Sequence, residues 1–495
     1  MCFDIEFILK GLFDMGVLSG LQPEAVFKYF EEICSIPHGS GNVEKISNYL
    51  VDFAKEHGFR YRQDENFNVV IFKEASKGYE DHEPVILQGH MDMVCVKNSG
   101  CAKDMEKEGL DLVIDGDYIK AVDTTLGGDD GIAVAYAMAA LTDETIAHPP
   151  LEVIITVDEE VGMLGAAAIE LPDIKGHVML NMDSEEEGIF LSSCAGGATA
   201  CLSIKADKED VSGTEINIKV SGLTSGHSGV DIIYQRANAN VVMGRILFVL
   251  SQKVNLRIAS ISGGEKDNSI APFANASIIV SEDEKELAIK LIEETAEKIK
   301  KEYAVTDAGM VIEAEAGADA HGNVYNAETT SRIILALTHI PDGVIRMSND
   351  IKGLVQTSLN LGVVKEENED ILLTYLLRSS VESEKEYLIA RIQNFAEVID
   401  CNLTISGTYP AWEYKQDSRL RGIMSDAYEK LSGKKPQIQA IHAGVECGMI
   451  AEKVSDLDCV SFGPEILDIH TPKERLSISS VERTWNLVLE VLKNL

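Results

Sequence analysis

Five short stretches of this chain run from apolar residues into histidine or carboxylate. In VILQGHMDM, His90 and Asp92 stand two residues apart. On an extended segment such residues point to the same side, so Asp92 can accept the imidazole's other N–H and fix its tautomer. Taken alone, a His-x-Asp pair is as much a surface-turn pattern as a site. In TLGGDDGI, Gly127, Gly128 and Gly131 permit a tight path into a helix that begins near Gly131. One of Asp129 and Asp130 is expected to cap that helix, as Asp commonly does, leaving the other to face a cleft.

The third stretch, LEVIITVDEEVGM, ends an apolar strand in Asp158, Glu159 and Glu160. Adjacent carboxylates repel, and a buried unpaired charge is costly. A divalent cation relieves this, and so does full exposure; the apolar approach and the small residues that follow favour the cation. The fourth, HVMLNMDSEEEG, ends at Asp183, and its SEEEG tail reads as a solvated acidic turn without a ligand. Far downstream, SFGPEILDIHTP places His470 after a Gly-Pro turn, a ligand only if the others are. Two imidazoles and several carboxylates without a thiolate suit zinc, cobalt or manganese. Paired cations about 3.5–4 Å apart can share a bridging carboxylate and activate a water. No HExxH, P-loop, GxSxG or dinucleotide fingerprint competes for the chemistry.

The elements that must hold these residues are legible in outline. Helices are expected over 23–36 and 42–57, the latter stopped by Gly58. Short apolar strands follow at 68–72, 84–88, 152–157 and 177–181, with helical stretches at 131–141 and after Gly165. Strands alternating with helices predict an α/β domain, a mixed sheet covered by helices on both faces, with ligands beyond the carboxyl ends of its strands. After Cys194-Ala-Gly-Gly the texture becomes α+β: strands at 198–204 and 215–220, and a long helix over 234–252. Two later segments look alike: a strand at 276–280 followed by SEDEKELAIKLI, and one at 371–378 followed by VESEKEYLIARI. Each helix leads to another strand, at 311–315 and 403–407, so the core of this insertion is expected to occur twice. The tail returns to the first style, with a helix over 418–431, strands at 437–441 and 459–462, and a last helix from Val481. The expected division is a catalytic domain of residues 1–196 and 408–495, interrupted by a lid of residues 197–407.

Composition agrees with an ordinary folded protein. The 495 residues are 45% apolar and 25% charged. A net charge of −37 repels phosphate backbones and anionic lipid, which argues against nucleic-acid and membrane partners. No apolar run nears the roughly 20 residues that span a bilayer. The acidic residues before Val17 and the lack of a basic start argue against a signal peptide. Nine cysteines without a CxxC pair fit reduced thiols, so a cytoplasmic location is expected.

QGHMDMV, TLGGDDGI, PLEVIITVDEEVGM, NMDSEEEG, GLTSGHSG, IHAGVECGM and FGPEILDIHTP together resemble the di-zinc metallopeptidase family of carboxypeptidase G and carnosinase, and within it the aminoacyl-histidine dipeptidase branch. The resemblance covers nearly the whole chain from about Gln22. It implies two zinc ions per chain, with cobalt or manganese as substitutes. His90 and Asp183 would hold one, Glu160 and His470 the other, and Asp129 would bridge them. Asp92 would support His90, and Glu159 would be the general base. His227, in the lid, would donate to the oxyanion. Arg378 would take a dipeptide's carboxylate, with Asn268, His442 and Glu446 as further substrate contacts. The implied reaction is hydrolysis of unblocked dipeptides, Xaa-His and broader. Deacylation of N-acyl amino acids is the alternative on the same site, and a non-catalytic peptide-binding protein the alternative of another kind. A homodimer is a possible assembly, although a doubled lid could supply within one chain what a partner supplies in relatives with a short one.

Overall fold

Val85–His90 and Leu151–Thr156 are buried along their whole length, as strands are when both faces of a sheet are covered. The fold is that of a computed structural model describing residues 16–495, the side chains of 318–321 excepted; the segment read above for a signal peptide lies almost wholly outside them. The chain forms two units. One is drawn from the chain up to Ser192, Lys415–Gln439 and Val445–Leu495, the other from Ser193–Tyr414 and Ala440–Gly444.

The first unit is built on a mixed sheet in the order Arg60–Gln63, Val69–Lys73, Leu151–Thr156, Val85–His90, Val178–Asn181, Asp458–Ser461, Ile189–Cys194, Gln437–Ile441. Its four middle strands, from Leu151–Thr156 to Asp458–Ser461, run parallel. Their carboxyl ends therefore open on one edge, and His90, the 158–160 turn, Asp183 and the segment leading to His470 all leave from it. The helix Gly128–Thr142 is apolar nearly all round and buried from Asp130 to Leu141, as a helix inside a core must be. Gly89 admits this helix: a Cβ there would lie 2.6 Å from that of Ala133. A small second sheet, Ile466–Leu467, Arg475–Ser477, Tyr118–Ala121 and Leu112–Asp115, pins both ends of the loop that carries His470.

The second unit has a sheet of nine strands among the described residues. One βαββαβ motif runs Lys208–Ser221, helix Ala239–Ser251, Arg257–Gly263, Ala274–Val280, helix Lys285–Glu302, Val311–Tyr325. A second uses Gly196–Lys205, helix Ala327–His339, Val355–Glu367, Asp370–Ser379, helix Glu382–Val398 and Asn402–Tyr409. Both motifs order their strands fourth, first, third, second, and Gly263 pairs with Val364 to join them. The expected doubling is thus present, with the first copy inserted after the first strand of the second. Three expectations change. The strand begun at Val311 continues to Tyr325 because it pairs along Lys208–Ser221. The helix foreseen over 234–252 starts at Ala239, where Asn238 caps it through the Asn240 N–H at 3.0 Å. The helix Ala327–His339 was not foreseen.

Candidate metal centre

His90 ends its strand 1% exposed, and each of its polar atoms is engaged. Its N–H donates to Asp130 Oδ2 at 3.1 Å. Nδ1 lies 3.0 Å from the Asp92 carbonyl and 3.4 Å from Asp92 Oδ1. Nε2 is left to face Asp129 Oδ1 at 3.2 Å and Asp183 Oδ1 at 3.6 Å. Asp92 also accepts the Ser40 hydroxyl at 2.8 Å and the N–H groups of Glu159 and Glu160 at 3.0 and 3.4 Å. Asp92 therefore faces the imidazole with both its carbonyl and its carboxylate, and the carboxylate anchors the acidic turn beside it.

Neither aspartate of the Gly-Gly-Asp-Asp run caps its helix. Both have non-helical backbone angles (φ/ψ −83/106° at Asp129 and −119/29° at Asp130), so the regular helix begins at Gly131 as expected, and neither carboxylate accepts one of its first N–H groups. Asp130 is buried against the His90 N–H, whereas Asp129 reaches outward: Oδ1 to His90 and Oδ2 to His470 Nε2 at 3.1 Å. His470, in the left-handed region at φ 59°, also stands 2.8 Å from Glu160 Oε1. Asp158 is occupied elsewhere, accepting the Gly41 N–H at 2.6 Å. The SEEEG turn is less solvated than expected, since Glu187 takes Arg483 in a two-point pair at 2.7 and 2.6 Å.

The potential of the cluster follows from its crowding. Burial, reinforced by the carboxylates around it, lifts Asp183 to about 7 and Glu159 to about 9. Burial works against Asp129 too, but the two imidazoles override it and hold its carboxyl well below the usual range. Hydrogen bonding to Asp129 and Glu160 lifts His470 to about 10. Potential ligand atoms converge within 4.8 Å in three groups: His90, Asp129 and Asp183; Asp129, Glu160 and His470; and His90, Glu159 and Glu160. Asp129 belongs to the first two. Repelling carboxylates beside two imidazoles form a donor set that a borderline divalent cation fits.

Two supporting residues escaped the sequence reading. Buried Glu474 accepts the N–H groups of Leu126 and Gly128 at 2.9 and 2.8 Å, so it holds the loop that presents Asp129; burial lifts it to about 7. Ser40 supports Asp92 as described. Glu446 lies in this unit, fully buried; Oε2 accepts from Gln88 and Thr156, both at 2.6 Å, and Oε1 has no hydrogen-bond partner among the described residues. Burial lifts it to about 7.

The remaining candidates, His227, Asn268, Arg378 and His442, belong to the second unit. The Gly229 and Val230 N–H groups point at His227 Nδ1, at 3.2 and 3.3 Å. Burial and the Arg378 charge lower its pKa, so the ring is neutral with its proton on Nε2, a donor. The Asn268 carbonyl accepts the Ser228 N–H at 2.9 Å, next to that ring. His442 Nε2 lies 2.7 Å from Ser358 Oγ, and burial drives its pKa down to about 3. Ser358 pairs in register with Arg378. The four residues, far apart in the chain, thus gather within one unit.

Comparison with known proteins agrees with this architecture. The model of Peptidase family M20/M25/M40 matches residues 86–494. Cytosol non-specific dipeptidase of Escherichia coli (strain K12) is 36% identical over 483 residues, which cover 97% of this chain and 99% of that protein. The crystal structure of aminoacylhistidine dipeptidase from Vibrio alginolyticus aligns with a TM-score of 0.92 at 36% identity, covering 98% of this chain and 99% of its own. Aminopeptidase PepT from Bacillus cereus shares the fold more distantly, with a TM-score of 0.54 at 15% identity over 96% of this chain and 98% of its own. Among the described residues no helix is long and apolar enough to cross a membrane.

Proposed function

The chain belongs to peptidase family M20/M25/M40, and from that premise we propose that it is a metal-dependent dipeptidase hydrolysing unblocked dipeptides, Xaa-His among them. The observation that carries this reading is Asp129, whose two oxygens face different imidazoles, His90 and His470, with Glu159 close by. Similarity at 36% identity over nearly the whole length of the Escherichia coli and Vibrio alginolyticus dipeptidases supports the substrate class.

His90, Asp183 and one oxygen of Asp129 would hold one zinc ion; Glu160, His470 and the other oxygen would hold a second, with cobalt or manganese as substitutes. Bound there, the cations supply Lewis acidity to the scissile carbonyl and make a water more acidic. Asp92 keeps the His90 ring in the orientation that leaves Nε2 available. Glu159 takes a proton from the attacking water and returns it to the leaving amine; the carboxylate repulsion that helps lift it to about 9 in the metal-free centre would be offset by bound cations, leaving it ionised and able to accept. The neutral His227 ring offers Nε2–H to the oxyanion. Arg378 meets the C-terminal carboxylate with a planar fork of donors. Asn268, His442 and Glu446 serve as further substrate contacts. The enzyme works in the cytoplasm, as the name of the Escherichia coli relative suggests, and its partners are small dipeptides.

A panel of dipeptides and N-acetyl amino acids, run on metal-stripped protein after each ion is restored, tests the reading. Cleavage of free dipeptides that returns with zinc, cobalt or manganese is expected. Preference for the N-acetyl compounds would make the protein a deacylase, and no hydrolysis with any ion would leave only peptide binding.

A further inference from the structure

Three neighbouring strands of the second unit meet at Arg378, beside two residues, Gly197 and Tyr409, that the reaction above does not use. Arg378 pairs in register with Gly197, and Gly197 with Tyr409. Gly197 has no side chain to separate them; a Cβ there would lie 2.5 Å from the Tyr409 ring and from its hydroxyl oxygen. The phenol lies across the glycine, and Arg378 Nη1 donates to its oxygen at 2.8 Å. The arginine is 7% exposed, and its Nε has no hydrogen-bond partner among the described residues. Among the described residues no carboxylate stands within the 4.0 Å of an ion pair with it. A buried guanidinium is ordinarily paired with an anion; here a neutral acceptor takes one N–H and leaves the charge uncompensated. Burial pushes the Tyr409 phenol up, so it stays neutral while it accepts.

We propose that Gly197 and Tyr409 form a bracket that aims Arg378 at a substrate carboxylate: Tyr409 is a positioning residue, and Gly197 is the gap that admits it. The proposal rests on the proposed function in one respect, that Arg378 meets the substrate's C-terminal carboxylate. The phenol fixes the rotation of the guanidinium plane without neutralising it, leaving the other N–H groups for a two-point contact. An aspartate or glutamate in its place would hold the fork as firmly and cancel the charge that binds substrate.

The experiment compares wild type with Tyr409→Phe on a dipeptide and its C-terminal amide, and on an N-acetyl amino acid and its amide. On the free acid of whichever pair is cleaved, KM should rise by about ten- to a hundredfold with kcat unchanged, the loss expected for one hydrogen bond to a charged group. Cleavage of the amide should stay as in wild type, so the preference for a free carboxylate falls by the same factor. Gly197→Ala, folded by circular dichroism, should move the preference in the same direction. A Tyr409→Phe enzyme that keeps the wild-type preference overturns the bracket and leaves the dipeptidase reading standing, and so does a wild type that makes no distinction. Cleavage of the N-acetyl pair alone overturns the dipeptidase reading and judges the bracket on that pair. Calorimetric titration with the same acids and amides, with Glu159→Gln added to both proteins to suppress turnover, repeats the comparison at the level of binding: weaker binding of the acid alone supports the bracket, and equal binding by both proteins refutes it.

Discussion

Replacing Asp92 by asparagine removes a charge from the middle of the centre with little change of shape. The native carboxylate receives the Ser40 hydroxyl at 2.8 Å and the Glu159 and Glu160 N–H groups at 3.0 and 3.4 Å, and faces His90 Nδ1 at 3.4 Å. An asparagine has one acceptor oxygen and one NH2, so one edge of this constellation must meet a donor with a donor. Losing a hydrogen bond to a charged group costs about 1.5–3 kcal/mol. Removing the partner of a ligating histidine costs about 10–100-fold in metal affinity or activity, which is about 1.4–2.7 kcal/mol. The two magnitudes agree: the turn holding Glu159 and Glu160 is released, and the ring, still held by the main-chain carbonyl of residue 92 at 3.0 Å, loses its charged partner. Zinc affinity, read by competition with a chromophoric chelator, should therefore weaken by about one to two decades. kcat at saturating zinc should also fall, because the general base moves with the turn. Unchanged zinc affinity in Asp92→Asn would refute the reasoning that this carboxylate orients the imidazole.

Three other outcomes are expected. Glu159→Gln should lower kcat by about 10²–10⁴-fold while metal content by mass spectrometry stays at the wild-type value; retained hydrolysis would remove Glu159 as the base. Zinc uptake by the stripped protein should release protons and tighten with rising pH, because in the metal-free state hydrogen bonding to Asp129 and Glu160 lifts His470 to about 10 and only the neutral ring can ligate; affinity that is flat from about pH 6 to 8, near histidine's usual pKa, would contradict this. Asp342, buried while accepting the Leu361 N–H at 2.8 Å and the Asn238 amide at 3.1 Å, has its carboxyl lifted by burial from 3.8 to about 6. The folded state holds that proton more tightly, so stability present below pH 4 is lost as pH rises through 6, by about 3 kcal/mol at most. Urea unfolding of Asp342→Asn should show that slope flattened, and an unaltered slope would assign it elsewhere.

What could be read in the chain is what local pattern encodes. His90, the 158–160 turn and Asp183 follow apolar strands directly, and a parallel sheet gathers strand ends on one edge whatever the loops do. The Glu-Lys-Glu repeat at 284–286 and 384–386 sits at the start of the second helix of each βαββαβ motif, where a strand-to-helix turn repeats. Glu474 was hidden for the opposite reason. In a charged Pro-Lys-Glu-Arg run it looks solvated, and only long-range folding lays it under Leu126 and Gly128. Ser40 is invisible in the same way, since its partner Asp92 is 52 residues away. Asp129 and Asp130 misled through a local rule: aspartates before a helix usually cap it, but here the imidazoles and the His90 N–H claim both side chains. The strand Val311–Tyr325 is rich in alanine and glycine, with weak intrinsic strand preference, and its length comes from pairing with Lys208–Ser221. The helix Ala327–His339 did carry a signal: Asn326 accepts the Thr329 N–H at 2.8 Å, a cap that the sequence displays.

The central claim is that Asp129 joins two cation sites, and counting bound zinc in wild type, Asp129→Ala and His470→Ala tests it most directly. After dialysis against zinc and passage over a desalting column, mass spectrometry should find about two ions per chain in wild type, about one in His470→Ala and fewer than one in Asp129→Ala. Two tightly held ions in Asp129→Ala, or fewer than one in wild type, would contradict the account.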